Sequence, residues 1–171
     1  NDKQTELFAR YLRMLADEEK MGLHTDEPYL TFEAKVNKMK FALRNTVQAL
    51  KGTNARLFLY GASTRGATLL QMLQLPDGTF EAAAERDEKK WGRLTGGTWV
   101  PIVSEEEARR VATHFFVLPY HFWETIRRRE VLWLENGGTF IVPLPVPRIV
   151  TKSGEHAISL SRFDAQPEVV R

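Results

Sequence analysis

The stretch Arg56–Gly66 constrains this chain most. Arg56–Tyr60 (RLFLY) is a short apolar run, Gly61-Ala62-Ser63-Thr64-Arg65-Gly66 follows at once, and Ala67–Gln74 then reads as a helix. A strand that turns on glycine straight into a helix opens a βαβ unit, and such a unit commits the chain to a parallel sheet with covered faces. The rest of the middle of the chain repeats the alternation. Pro76-Asp77-Gly78 is a turn, and Phe80–Ala84 reads as a second strand that ends in Glu85-Arg86-Asp87. Lys89–Gly97 is polar and Gly-rich and predicts a loop, and Trp99–Val103 predicts a short extended piece. Ser104 followed by Glu107 is a capping box for a helix to about Val111. His114–Leu118 (HFFVL) is the third main strand, stopped by Pro119. Tyr120–Glu135 reads as one helix closed by Asn136-Gly137-Gly138, and Thr139–Val142 (TFIV) is a fourth strand before Pro143, Pro145 and Pro147. The expected class is therefore α/β, a Rossmann-like doubly wound, mostly parallel sheet over residues 56–150.

Two helices are expected ahead of it, as an N-terminal extension over residues 1–55 that packs on the domain. In the first, Leu7, Tyr11, Leu12, Met14 and Leu15 recur at helical spacing, and Gly22 is a plausible stop. His24–Leu30 reads as a linker. With Thr31 as N-cap, a second helix is expected from Phe32 to Leu50, along Phe32, Val36, Met39, Leu43, Val47 and Leu50, and Gly52 ends it. Residues 151–171 are polar and are expected to add one edge strand or an arm over the sheet edge.

Composition removes several function classes. Lys+Arg is 24 against 22 Asp+Glu, a net charge of +2, so the cation excess of a nucleic-acid binder is missing. There is no cysteine, which excludes disulfides, thiolate nucleophiles and Cys-type metal sites within these 171 residues. The four histidines show no ligand spacing. No apolar run approaches the length of a membrane span and no signal-peptide core opens the chain, so a cytoplasmic location is expected. The chain opens on Asn1 rather than Met, as expected of a piece of a longer polypeptide.

The Gly61–Gly66 turn is the leading site candidate. Sheets of this kind bind ligands outside the carboxyl ends of their strands. Gly61 allows a tight turn and Gly66 a close helix–sheet approach. The first-turn amides favour an anion, Ser63 and Thr64 add hydroxyls, and Arg65 offers a planar cation to a phosphate. The spacing is G-x-x-x-x-G, and Ala67-Thr68 replaces the Lys-Ser/Thr of a phosphate-binding loop, so a nucleoside triphosphatase is not expected. A tight βα turn with Ser/Thr caps is the alternative. Glu85, at the end of the second strand, is placed to accept from a ribose hydroxyl. Arg86, Lys89, Lys90 and Arg93 could meet phosphate or form a solvated loop. Tyr120 and His121 lie past the third strand, and with no carboxylate nearby in sequence His121 reads as an orienting rather than a catalytic group.

The motifs Tyr60–Gly66, Ala84–Asp87, Gly97-Thr98, Pro101–Glu106, Leu118–Phe122 and Gly137–Pro145 occur in that order. The set resembles the C-terminal domain of S-adenosylmethionine-dependent sugar C-methyltransferases, over about residues 5–150. The resemblance implies a Rossmann-like lobe that helps hold a nucleoside-diphosphate sugar, through Gly61, Ala62, Ser63, Thr64, Arg65, Gly66, Glu85, Arg86, Tyr120 and His121. It implies that S-adenosylmethionine, and any zinc, is held outside this chain, by a Cys-rich part and a central methyltransferase domain of the same polypeptide. By that resemblance the 171 residues alone are expected to be inactive. Two other readings stay open: a nicotinamide-dinucleotide oxidoreductase domain using Glu85, and a non-catalytic interaction domain.

Overall fold

A computed structural model describes residues 2–160. The chain divides into two units, a helical arm up to Lys38 and a sheet unit from Met39 onward. In the arm, α1 runs Asp2–Lys20, and Gly22 takes a positive φ just beyond its end. Helix α2 runs Glu27–Lys51 and so begins inside the expected linker. Pro28 falls in its first turn, where a missing N–H costs nothing, and Leu30 already donates to Asp26 O at 3.0 Å. Thr31 is therefore helical and not the cap.

The sheet unit has seven strands in the order β3-β2-β1-β4-β5-β6-β7. They are β1 (Leu57–Tyr60), β2 (Ala83–Glu85), β3 (Ile102–Ser104), β4 (His114–Val117), β5 (Thr139–Val142), β6 (Arg148–Thr151) and β7 (Gly154–Ala157). The first five are parallel, and β6 and β7 add an antiparallel hairpin at the β5 side. This is the doubly wound α/β fold the alternation implies. Two strands thus stand where one edge strand is expected, and the first starts at Arg148. The remainder of that tail, 161–171, lies outside the described residues. The second strand is shorter than expected: Glu81 and Ala82 hydrogen-bond β1, but regular pairing is confined to Ala83–Glu85.

The central strands β1, β4 and β5 are buried on both faces, and their two-residue period sorts their side chains into two cores. Leu57, Leu59, Phe116 and Ile141 face Leu43 and Val47 of α2 and Leu69, Leu70 and Leu73 of α3 (Thr64–Leu73). Phe58, Tyr60, Phe115, Val117, Phe140 and Val142 face Ala108 of α4 (Glu105–Val111), Trp123 and Ile126 of α5 (Trp123–Arg129) and Leu134 of α6 (Val131–Glu135).

The single helix expected over Tyr120–Glu135 is in fact a 3-10 turn at Tyr120–Phe122 followed by α5 and α6, interrupted at Glu130. Glu130 is only 3% exposed, and its carboxylate holds the second core together. It accepts from Tyr60 Oη at 2.7 Å, from Arg109 Nη2 at 2.6 Å and Nε at 2.8 Å, and from Arg129 Nε at 3.2 Å. Arg129 also donates to Tyr60 Oη, and both arginines reach Glu105. One carboxylate thereby ties β1, α4 and the α5–α6 joint. No helix among the described residues is long and apolar enough to cross a membrane.

Candidate functional site

The strand order fixes where a ligand cleft can lie. The chain builds outward from β1 to β3, then crosses back to place β4 on the other side of β1. The connections leaving β1 and β4 therefore diverge, which opens a crevice above their carboxyl ends. Gly61 and Pro119 form its floor. Gly61 has φ +80°, and a Cβ there would stand 3.0 Å from Pro119 Cδ. Only glycine meets both conditions. Five residues on, a Cβ on Gly66 would lie 2.4 Å from Leu118 Cβ, so the first turn of α3 presses directly on the residue after β4. Ser63 is the N-cap of α3, its Oγ accepting from Gly66 N at 3.1 Å. The first-turn amides of Thr64 and Arg65 have no intrahelical acceptor and face outward from the helix start.

Glu85 connects this turn to the end of β2. Its Oε2 accepts from Ala62 N at 3.0 Å and from Lys90 Nζ at 3.0 Å. Its Oε1 accepts from Arg86 N at 2.9 Å and Asp87 N at 3.2 Å. Burial alone pushes this carboxyl up, but the Ala62 amide, the Lys90 ammonium and the Asp87 and Arg86 amides outweigh it and hold it below the usual carboxylate range. A carboxylate offers about four lone-pair positions, and here four donors fill them, so a ribose hydroxyl would have to displace one. Glu85→Ala is expected to cost about 1–3 kcal/mol of stability, because it strips three backbone amides and an ammonium of their acceptor. Denaturant unfolding of the two proteins measures it, and Glu85→Gln, which still accepts, should lose less.

Lys90 ends the 3-10 turn Glu88–Lys90, which Asp87 caps by accepting from Lys89 N at 3.1 Å. Lys90 also reaches Ala62 O at 3.4 Å. With Arg93 it lines a cavity of about 240 Å³ whose other polar walls are Ser63, Thr64 and Thr95. Thr95 is buried and bonds Thr98 Oγ1 at 2.8 Å and Val100 N at 2.9 Å, which closes the far side of the loop. A second cavity of about 240 Å³, near Gln71, Gln74 and Thr79, also takes in Gly97 and Thr98 but is lined by none of the candidate binding residues.

The residues expected from sequence thus fall into two groups. Gly61, Ala62, Ser63, Thr64, Gly66 and Glu85 are brought together around the turn, with Tyr120 packed into both cores beside it. Arg65 and Arg86 are exposed, and neither lines the cavity. His121 is exposed too, its ring held between Tyr120 and Phe122 at centroid distances of 5.6 and 4.3 Å. The cations that do line the cavity, Lys90 and Arg93, stand in sequence among other charges of a polar loop. Their signal is the acceptor five residues before Lys90. Among the described residues no group of three or more His, Asp or Glu side chains could hold a metal ion.

Comparison with known proteins narrows the chemistry. A family model described as the C-methyltransferase C-terminal domain matches residues 1–145. The chain is also similar to the C-methyltransferase NovU of Streptomyces niveus, with 30% identity over 139 residues. That match covers 81% of this chain but 33% of the relative, so the chain spans about a third of the length of the protein it matches.

Proposed function

The chain belongs to the C-methyltransferase C-terminal domain family, and from that premise we propose that it is the lobe that binds a nucleoside-diphosphate sugar for a methyltransferase domain of the same polypeptide. The observation that carries the reading is the cavity beside the glycine turn, where Lys90 and Arg93 stand with Ser63 and Thr64 at the start of α3. Two cations, two hydroxyls and a helix start favour a diphosphate. The same two cations would repel a sulfonium, which supports holding S-adenosylmethionine outside this chain. This chain's contribution is then binding and orientation. The diphosphate is fixed at the turn, and the sugar beyond it is presented toward the methyl donor. Glu85, filled by four donors, acts in this reading as the staple that holds the Ala62 turn and Lys90 in register.

Calorimetry with thymidine and uridine diphosphates, against their nucleosides, tests it. Lys90→Ala and Arg93→Ala should each weaken diphosphate binding by roughly 10- to 150-fold, the value of a lost charge-assisted hydrogen bond, and leave nucleoside binding nearly unchanged. Arg65→Ala should have a smaller effect, because Arg65 is not among the cavity's walls. Diphosphate affinity that survives both Lys90→Ala and Arg93→Ala would overturn the assignment.

A further inference from the structure

The arm carries an apolar surface that its own helices leave exposed. No residue of α1 is buried. Its large apolar side chains nevertheless follow helical spacing: Leu7, Tyr11 and Met14 make one row, and Phe8, Leu12 and Leu15 the next. These six are between 42% and 63% exposed. At 100° per residue the two rows merge into one broad face, the pattern of a helix that is covered on one side. The first turns of α2 add Tyr29, Leu30 and Phe32, each more than half exposed. Scattered single apolar residues need no explanation, but a contiguous face of this kind marks an interaction site.

We propose that the apolar face of α1 is the docking surface for the methyltransferase domain of the same polypeptide, a proposal that rests on the functional reading above. Two observations choose this occupant. The family match begins at residue 1, so the arm belongs to the family's domain and is not an appendage to it. The relative is about three times as long as the segment it shares with this chain, and the family is described as a C-terminal domain. The arm stands at the N-terminal side of that domain, where it meets whatever precedes it in the polypeptide. A tethered neighbour reaches an effective concentration on the order of millimolar, far above that of a second copy at ordinary dilution, and so occupies an apolar face first. The arm then does more than link. By fixing one lobe against the other it sets the distance between the bound sugar and the methyl donor.

The test is amide hydrogen exchange on the full-length polypeptide that carries this chain, beside the 171-residue chain, with molecular mass followed by light scattering. Amides of residues 7–15 are expected to exchange at least tenfold more slowly in the full-length protein, at all protein concentrations. The double variant Phe8→Asp/Leu12→Asp should abolish that protection and slow methyl transfer. Because α1 buries nothing of its own, the variant should leave diphosphate binding by the sheet unit unchanged. Equal exchange in the two proteins would overturn the proposal, whether both are open or both are already covered by this chain's own residues. Protection that appears only with dimer formation would assign the face to a second copy and overturn it as well. Diphosphate binding is measured separately, so its absence would sink the functional reading and leave the exchange result to judge the arm.

Discussion

Replacing Glu130 by alanine is expected to destabilise the sheet unit by about 3–5 kcal/mol, the cost typical of breaking a buried ion pair by removing one partner. The residue is 3% exposed and is the common acceptor of Tyr60, Arg109 and Arg129. Its removal leaves the Tyr60 hydroxyl without its acceptor inside the second core, and two guanidinium groups with Glu105 as their one carboxylate, Arg129 keeping the Tyr60 oxygen as well. Both guanidinium groups are about a third exposed, so water recovers part of their loss and the lower end of the range is expected. Glu130→Gln keeps an acceptor and should lose less. The same group makes the fold acid-sensitive. Burial pushes the Glu130 carboxyl up, but hydrogen bonds from Arg109 and Tyr60 and the nearby arginine charges hold it below its ordinary value of 4.5. Glu85 is depressed likewise. A carboxyl depressed in the folded state binds fewer protons there than in the unfolded chain. Its stabilisation is thus complete above about 4.5 and is lost as pH falls through the folded value. Urea unfolding between neutral pH and pH 3 should show that loss in the parent protein and a shallower one in Glu130→Gln. An identical acid slope in both would remove Glu130 from the account.

Phe140→Ala should cost about 3–5 kcal/mol, as large-to-small changes of fully buried aromatics do. Phe140 is fully buried and its ring meets four other aromatics of the second core. Its centroid lies 4.9 Å from Trp133, 5.3 Å from Trp123, 5.7 Å from Tyr60 and 5.8 Å from Phe115. Those neighbours are anchored on β1, β4, α5 and α6 and cannot all collapse into one vacated space, so a cavity remains. For a chain of this size the loss corresponds to a melting temperature lower by roughly 6–20 °C. Trp123 and Trp133 border the vacated space, so their emission should shift in the folded state as well. An unchanged melting temperature would mean that the rings repack.

The parts of this fold legible in the sequence are those where local chemistry and tertiary demand agree. RLFLY, HFFV and TFIV are apolar from their second residue on because both faces of each strand are covered there, and all three become central strands. Gly61 and Gly66 are legible because no side chain fits there, next to Pro119 and Leu118. The interruption at Glu130 is not legible. Nothing in Tyr120–Glu135 disfavours one continuous helix, and the partners that hold the joint, Tyr60 and Arg109, lie far earlier in the chain. The start of α2 is hidden for the opposite reason, since Pro28 reads as a breaker but sits where a helix tolerates it. Lys90 and Arg93 look in sequence like solvated loop charges. Their position at the cavity comes from backbone and carboxylate contacts that no local pattern announces.

The loop that carries those two cations also answers a problem that every open sheet faces. The outer rim of β3 is a row of peptide groups that could recruit a strand from another molecule. Here the rim is three residues long, and Ile102, whose peptide groups turn outward, is already paired: its N–H donates to Arg93 O at 2.9 Å and its carbonyl accepts from Gly92 N at 3.0 Å, with Leu94 bridged to Pro101 alongside. Loosening this loop would therefore do more than disturb the cleft. It would uncover a template for intermolecular strand pairing, so the proposed binding site and the protection of this edge rest on the same few residues.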